Sequence, residues 1–189
     1  PAKAGRDRGR ARALGAPPAR RRADATWKRR ALALEKARDR PHPSGFQPQL
    51  ATLRSMAPDG DEWLHEIKWD GYRLLADVVD GVVTLRSRGG QAWSERFPDV
   101  VAALRALPVS DLRLDGELVV LDAKGRSDFT ALQRVLEGSS RAPLRYVLFD
   151  MPGIAGVDLT ATPLLARKQL LRDLLGDVPG TLAYSDHVI

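Results

Sequence analysis

The sequence predicts an α+β domain behind a basic leader, on three observations. Strand-like runs dominate, but helical runs are interspersed among them. Two β-rich runs are separated by Asp80-Gly81 alone, a two-residue link that suits a type I′ hairpin because both positions need positive φ. Charge is unevenly spread: residues 1–40 hold 14 Lys+Arg and 4 Asp+Glu, a net of +10. The remainder of the total of 30 basic and 24 acidic residues is 16 against 20, a net of −4.

Residues 1–45 read as a basic flexible linker, rich in Ala, Arg, Gly and Pro, with a short helix from about Thr26 to Arg38. The alternative is an arm that grips DNA backbone by counterion release. Residues 46–189 read as one compact domain. Phe46 to Ser55 begins it, and Trp63 to Lys68 is a strand. Tyr72 to Val79 and Val82 to Arg88 are the two arms of the hairpin. Phe97, Val100, Val101, Leu104 and Leu107 recur at helical spacing and predict a helix over about Ser94 to Leu107. Leu112 to Asp115 and Glu117 to Leu121 are strands on either side of Gly116. A helix containing Phe129, Leu132, Val135 and Leu136 is capped by Ser127 or Asp128. Leu144 to Phe149 is a further strand. Thr162 as cap and Pro163 at the first position open a helix to about Leu175, and Thr181 to Ser185 begins a last strand.

Composition excludes several kinds of chemistry. Hydrophobic residues are 43% of the chain, which is globular and not disordered. Cysteine is absent, so there is no disulfide, thiolate metal site or thiol nucleophile, in keeping with a reducing cytosol. No apolar run reaches membrane-spanning length, and no signal-peptide pattern opens the chain. The first residue is Pro1 and not Met, as expected of a fragment or a processed product.

The chemistry concentrates in Glu66-Ile67-Lys68-Trp69-Asp70-Gly71-Tyr72-Arg73. Alternation along an extended chain puts Glu66 and Lys68 on one face. Gly71 permits a sharp turn that brings Arg73 back beside them. A lysine amine held among charges at a strand end is a candidate nucleophile; the bland reading is a surface salt-bridge cluster. The spacing weighs against the bland reading. The pattern K-x-D-G-x-R should arise by chance in roughly one chain in four hundred of this length.

That pattern resembles the signature of the covalent nucleotidyltransferases: DNA ligases, RNA ligases and mRNA capping enzymes. Further matches follow in the same order. Ser87-Arg88-Gly89 resembles the second motif, Asp115-Gly116-Glu117-Leu118 the third, and Tyr146-Val147-Leu148-Phe149-Asp150 the next. The likeness runs from about Phe46 to Ile189. Pro48 to Leu53, the Trp-Leu-His-Glu-Ile-Lys approach and Tyr184-Ser185-Asp186-His187 all resemble the ligase domain of bacterial DNA ligase D. They speak against a capping guanylyltransferase or an RNA ligase.

The resemblance implies an ATP-grasp-like adenylation fold with antiparallel sheets and flanking helices. It implies that Lys68 attacks the α-phosphorus of ATP and forms lysyl-AMP, with Asp70 arranging the lysine. Glu66 would sit at the adenine edge and Phe149 would stack on the purine. Arg73 and Glu117 would hold the ribose hydroxyls, and Arg88 would contact phosphate. A lysine with the ordinary pKa of ~10.4 must first lose a proton, and Mg²⁺ or Mn²⁺ would offset the charge of ATP. No residue of the sequence is assigned as a metal ligand. The expected partner is nicked or broken double-stranded DNA, with end-joining polymerase and phosphoesterase domains and an end-binding protein. The expected location is the bacterial cytoplasm, at the nucleoid.

The family's later E-G and K-x-K motifs have no counterpart before Ile189. The sequence is therefore expected to hold a C-terminally incomplete adenylation domain, with little activity alone. The competing reading is a non-catalytic DNA-binding or tethering remnant of a ligase.

Overall fold

The computed structural model describes residues 18–43, 45–176 and 180–189. Its elements run α1 (Pro18–Leu32), β1 (His65–Glu66), β2 (Tyr72–Val79), β3 (Val82–Ser87), a 3-10 turn (Ser94–Arg96) and α2 (Pro98–Ala106). Then come β4 (Asp111–Val120), α3 (Phe129–Leu136), β5 (Leu144–Ile154), β6 (Val157–Asp158), α4 (Leu164–Leu175), β7 (Leu182–Tyr184) and β8 (His187–Val188). A six-stranded sheet has the order β3-β2-β4-β5-β6, with β7 also on β5. Its pairings are antiparallel except β5–β7. β1 and β8 form a separate two-stranded sheet. The α+β expectation holds, and no helix among the described residues is long and apolar enough to cross a membrane.

The hairpin forms where the sequence places it. Asp80 and Gly81 have φ of 49° and 78°, both positive as the short link demands. Leu74, Ala76 and Val78 of β2 join Leu112, Leu114, Leu118 and Val120 of β4 and Tyr146 and Leu148 of β5 in the core. Val100 and Leu104 of α2, Leu132 of α3 and Leu170, Leu171 and Leu174 of α4 complete that cluster. The alternate residues of the strands carry charge: Arg73 and Asp77 on β2, Arg113, Asp115 and Glu117 on β4. The period of two thus separates an apolar face from a charged one.

Several boundaries differ from the sequence reading, each for a physical reason. The helix expected over Ser94 to Leu107 splits, because Pro98 disfavours helical geometry at Phe97 (φ −130°, ψ 63°) and then serves as the first helical residue. The two strands expected around Gly116 are one continuous β4, since its tight neighbours leave a glycine no reason to break the ladder. A Cβ there would lie 2.5 Å from the Val147 carbonyl oxygen and 2.8 Å from Cε2 of Tyr146. Asp128, not Ser127, caps α3, its carboxylate accepting from the Ala131 amide at 2.9 Å. α4 starts at Leu164, because Pro163 is extended (ψ 138°) and takes the cap position expected of Thr162. The strand expected over Trp63 to Lys68 shrinks to two residues, the length that β8 pairs.

The largest correction concerns the leader. Residues 1–17 lie outside the described residues, but 18–43 do not behave as a linker. Trp27 and Ala31 of α1 are buried in the core. Asp24 accepts from the Ser110 amide at 2.7 Å, and Arg30 pairs with Asp173. Beyond the helix, Arg38 exchanges two 3.0 Å backbone hydrogen bonds with Asp158, and Arg40 donates twice to the Asp158 carboxylate. Burial works against ionising Asp158, yet the Thr160 hydroxyl and amide, Arg40 and His42 hold its carboxyl down at about 2. The signal was Trp27, a large apolar residue that a solvated linker has no use for.

Candidate active site

The segment from β1 to β2 is shaped by two close approaches. A Cβ on Gly71 would run into the carbonyl of Leu118, so only glycine lets the chain turn against β4. The Asp70 amide donates to the Ser127 hydroxyl at 3.1 Å, which fastens the other side of the turn. Two residues further on, Arg73 stands directly opposite Glu117 in the β2–β4 register. The Arg88 amide donates to the Arg73 carbonyl at 3.2 Å, fixing the hairpin end beside them.

β5 contributes through a bulge. Gly116 pairs with Leu148 and Asp115 with Asp150, so Phe149 is an extra residue with no partner opposite. Such a bulge re-aims a side chain, and Phe149 lines the site. The Arg73 guanidinium lies over its ring at 5.3 Å to the centroid. Arg73 is itself held by a two-pronged bond to Asp115, Nε to Oδ1 at 2.9 Å and an NH2 to Oδ2 at 2.7 Å. Asp150 is held likewise by Arg167, at 2.7 and 3.0 Å.

The result is a cleft of about 790 Å³ lined by Glu66, Lys68, Trp69, Arg73, Arg88, Glu117 and Phe149, among others. An adjoining cavity of about 480 Å³ shares Glu66, Arg73 and Phe149 and extends to Phe46, Asp150 and Arg167. Lys68 is exposed. Glu66 is not free: the Nζ of Lys168 donates to it at 2.6 Å.

Burial dominates the electrostatics. It pushes the Glu117 carboxyl up to about 7; Arg73 and Lys68 pull it down, while Asp115 and Asp70 push it further up. The Arg73–Asp115 pair acts unequally on its members. Its hydrogen bond raises Arg73, keeping the guanidinium charged, whereas burial raises Asp115 in spite of that bond. The two-pronged geometry is that of an ionised pair, and we take both groups as charged near neutrality.

Six of the seven site residues expected from the sequence therefore line one cleft: Glu66, Lys68, Arg73, Arg88, Glu117 and Phe149. Asp70 is exposed and is not among the lining residues; it acts on the site through its charge on Glu117. Sequence reasoning missed Asp115, Asp150, Arg167 and Lys168 as supporting residues. The two aspartates sit inside the motifs and could have been noticed. Lys168 pairs with a residue 102 positions away, and no local pattern signals that. Among the described residues, no three His, Asp or Glu side chains converge to hold a metal ion.

The site thus sets a lysine beside an open cleft with an aromatic face and a carboxylate–arginine pair. The chain belongs to the ATP dependent DNA ligase domain family, which it matches over residues 48–189. It is 45% identical to the multifunctional non-homologous end joining protein LigD of Pseudomonas aeruginosa over 135 residues, 71% of this chain and 16% of that protein. It is 34% identical to the bifunctional LigD of Bacillus subtilis, over 65% of this chain and 22% of that one. The chain thus spans under a quarter of either relative. Among solved structures it is similar to the ligase domain of M. tuberculosis LigD, with a TM-score of 0.56 and 30% identity, covering 67% of this chain and 40% of that one. It is also similar to a mycobacterial DNA ligase D complexed with ATP and MES, at a TM-score of 0.54 and 30% identity, over 67% of this chain and 40% of that one.

Proposed function

We propose that this chain supplies the nucleophile and the nucleoside pocket of a lysine adenylation site serving DNA strand joining. The observation that carries the reading is the convergence of Glu66, Lys68, Arg73, Arg88, Glu117 and Phe149 on one cleft. The deprotonated Lys68 amine attacks the α-phosphorus of ATP. An N–P bond forms, the bond from the α-phosphorus to the bridging oxygen breaks, and pyrophosphate leaves with that oxygen. Phe149 offers the purine a face, and Arg73 stiffens that face from one side. Glu117 accepts from a ribose hydroxyl, Arg88 at the hairpin end meets phosphate, and Asp70 helps arrange Lys68. Positioning of this kind supplies much of the acceleration in phosphoryl transfer.

ATP binding is supported by the family and by a relative described as complexed with ATP. The Mg²⁺ or Mn²⁺ expected with ATP is given no protein ligand, and no step is routed through it. Nicked or broken DNA would then receive the AMP at its 5′-phosphate, in the end joining for which the LigD relatives are named. A mass measurement after incubation with ATP and Mg²⁺ or Mn²⁺ tests the reading. Little adduct is expected from this chain alone, and any adenylyl group that forms should sit on Lys68; labelling that maps to Lys124 or Lys168 would overturn the reading. Salt-dependent DNA binding with no adduct, even in a chain extended with a relative's later segments, would favour the non-catalytic tether instead.

A further inference from the structure

Lys168 sits on α4 among Leu170, Leu171 and Leu174, and is fully buried. An ammonium there carries a desolvation cost that an apolar side chain would avoid. Its contacts show what the charge is used for. Nζ donates to Oε1 of Glu66 at 2.6 Å and to the Ser185 carbonyl at 2.8 Å, and it faces the Tyr184 ring at 4.7 Å from the centroid. Glu66 is the one charged side chain among these partners, and it opens onto the cleft. Glu66 lines both the 790 Å³ cleft and the adjoining cavity. Among the described residues no donor reaches its second oxygen.

The same contact is braced from behind. The Ser185 amide donates to the Leu148 carbonyl at 2.8 Å, and its hydroxyl accepts from the Trp69 indole at 3.0 Å. Lys168 therefore joins α4, β1 and the segment after β7 at one point, with Lys68 two residues along the chain from Glu66. A long carboxylate side chain at a cleft edge would otherwise sample several rotamers. With Oε1 pinned, Oε2 becomes a fixed, acceptor-only atom. The exocyclic amine of adenine offers a donor to such an atom. Guanine presents a carbonyl oxygen at the corresponding ring position, which a carboxylate repels.

We propose that Lys168 is a positioning residue that locks Glu66 as an acceptor for the adenine amine and so sets a preference for ATP over GTP. This rests on reading the cleft as the adenylate site. The test compares ATP and GTP binding to the 189-residue chain by calorimetry, for the unaltered protein, Lys168→Met, Glu66→Gln and the double variant. In folded Lys168→Met the ATP:GTP affinity ratio should fall about tenfold or more, the scale of one hydrogen bond to a charged group. Adding Lys168→Met to Glu66→Gln should lower the ratio no further. A purely structural lysine would weaken both nucleotides alike and leave the ratio in place, which overturns the inference alone. Failure of the unaltered chain to bind either nucleotide overturns the site reading as well. If Lys168→Met does not fold, the unaltered chain still decides by NMR of the lysine ammonium groups. The buried Lys168 resonance should move on binding ATP and stay put on binding ribose 5-triphosphate, which has no base. A resonance unmoved by bound ATP overturns the inference.

Discussion

Glu117→Gln should stabilise the protein in alkaline solution and do almost nothing in acid. The fold holds this carboxyl at about 7, against 4.5 for an unburied glutamate, chiefly because burial penalises the charge. The folded chain thus keeps the proton to a higher pH than the unfolded chain does. Below 4.5 both states are protonated and the side chain costs nothing. As pH rises towards 7 the unfolded chain ionises freely while the folded chain resists, so stability falls through that window and levels off above it. Each pH unit between the two values is worth about 1.4 kcal/mol, giving about 3 kcal/mol if fully expressed. Glu117 is only half-buried and screened by solvent, so about 2 kcal/mol is the better figure. Glutamine carries no charge to bury, and its melting temperature advantage at pH 8.5 should be about 4–8 °C for a chain of this size. Differential scanning calorimetry at pH 4.5 and 8.5 reads both ends. An equal effect at the two pH values, or a glutamine variant less stable at pH 8.5, would refute the reasoning that burial outweighs the pull of Arg73 and Lys68.

Lys68→Ala should abolish any covalent AMP, read by intact mass, while leaving the circular dichroism spectrum unchanged because Lys68 is exposed. Trp27→Ala should cost about 3 kcal/mol or more, measured by denaturant unfolding, because it empties a buried aromatic site in the core; a surface-like cost below about 0.5 kcal/mol would mean that α1 is not docked. Removing residues 1–17, which carry five basic residues against Asp7 alone, should weaken duplex DNA binding and flatten its salt dependence. Unchanged binding would place the contact on the folded body. Gly71→Ala should destabilise the chain or abolish adenylation, since its Cβ has no room beside Leu118; an unaffected variant would mean that the turn at Lys68 can shift.

What the sequence made legible was local. The Asp80-Gly81 link and the spacing around Lys68 depend on near neighbours, and they placed the hairpin and brought Glu66, Lys68 and Arg73 together; Arg88, Glu117 and Phe149 came from the family resemblance of their motifs. Features decided at long range were not legible. The bulge at Phe149 depends on how β5 pairs with β4, and nothing in Tyr146 to Asp150 alone encodes the extra residue. The tie between Lys168 and Glu66 spans 102 residues. The leader misled for a different reason: its charge looks like a solvated linker, whereas α1, among the described residues, puts only Trp27 and Ala31 into the buried core and is tied down at its edges by Asp24 and Arg30. A count of arginines outweighs two apolar side chains in composition but not in packing.

The docking of α1 changes what the front of this chain can do mechanically. A leash ending at Phe46 would include the 28 residues from Pro18, which extended could add up to about 95 Å of reach. The structure takes that length away and leaves Pro18 as the point of departure. Anything joined ahead of it is carried on a rigid rod seated in the core, clamped again where Arg38 and Arg40 meet Asp158. Its direction at Pro18 is then set by the helix axis. The segment works less as a rope than as a mounting bracket.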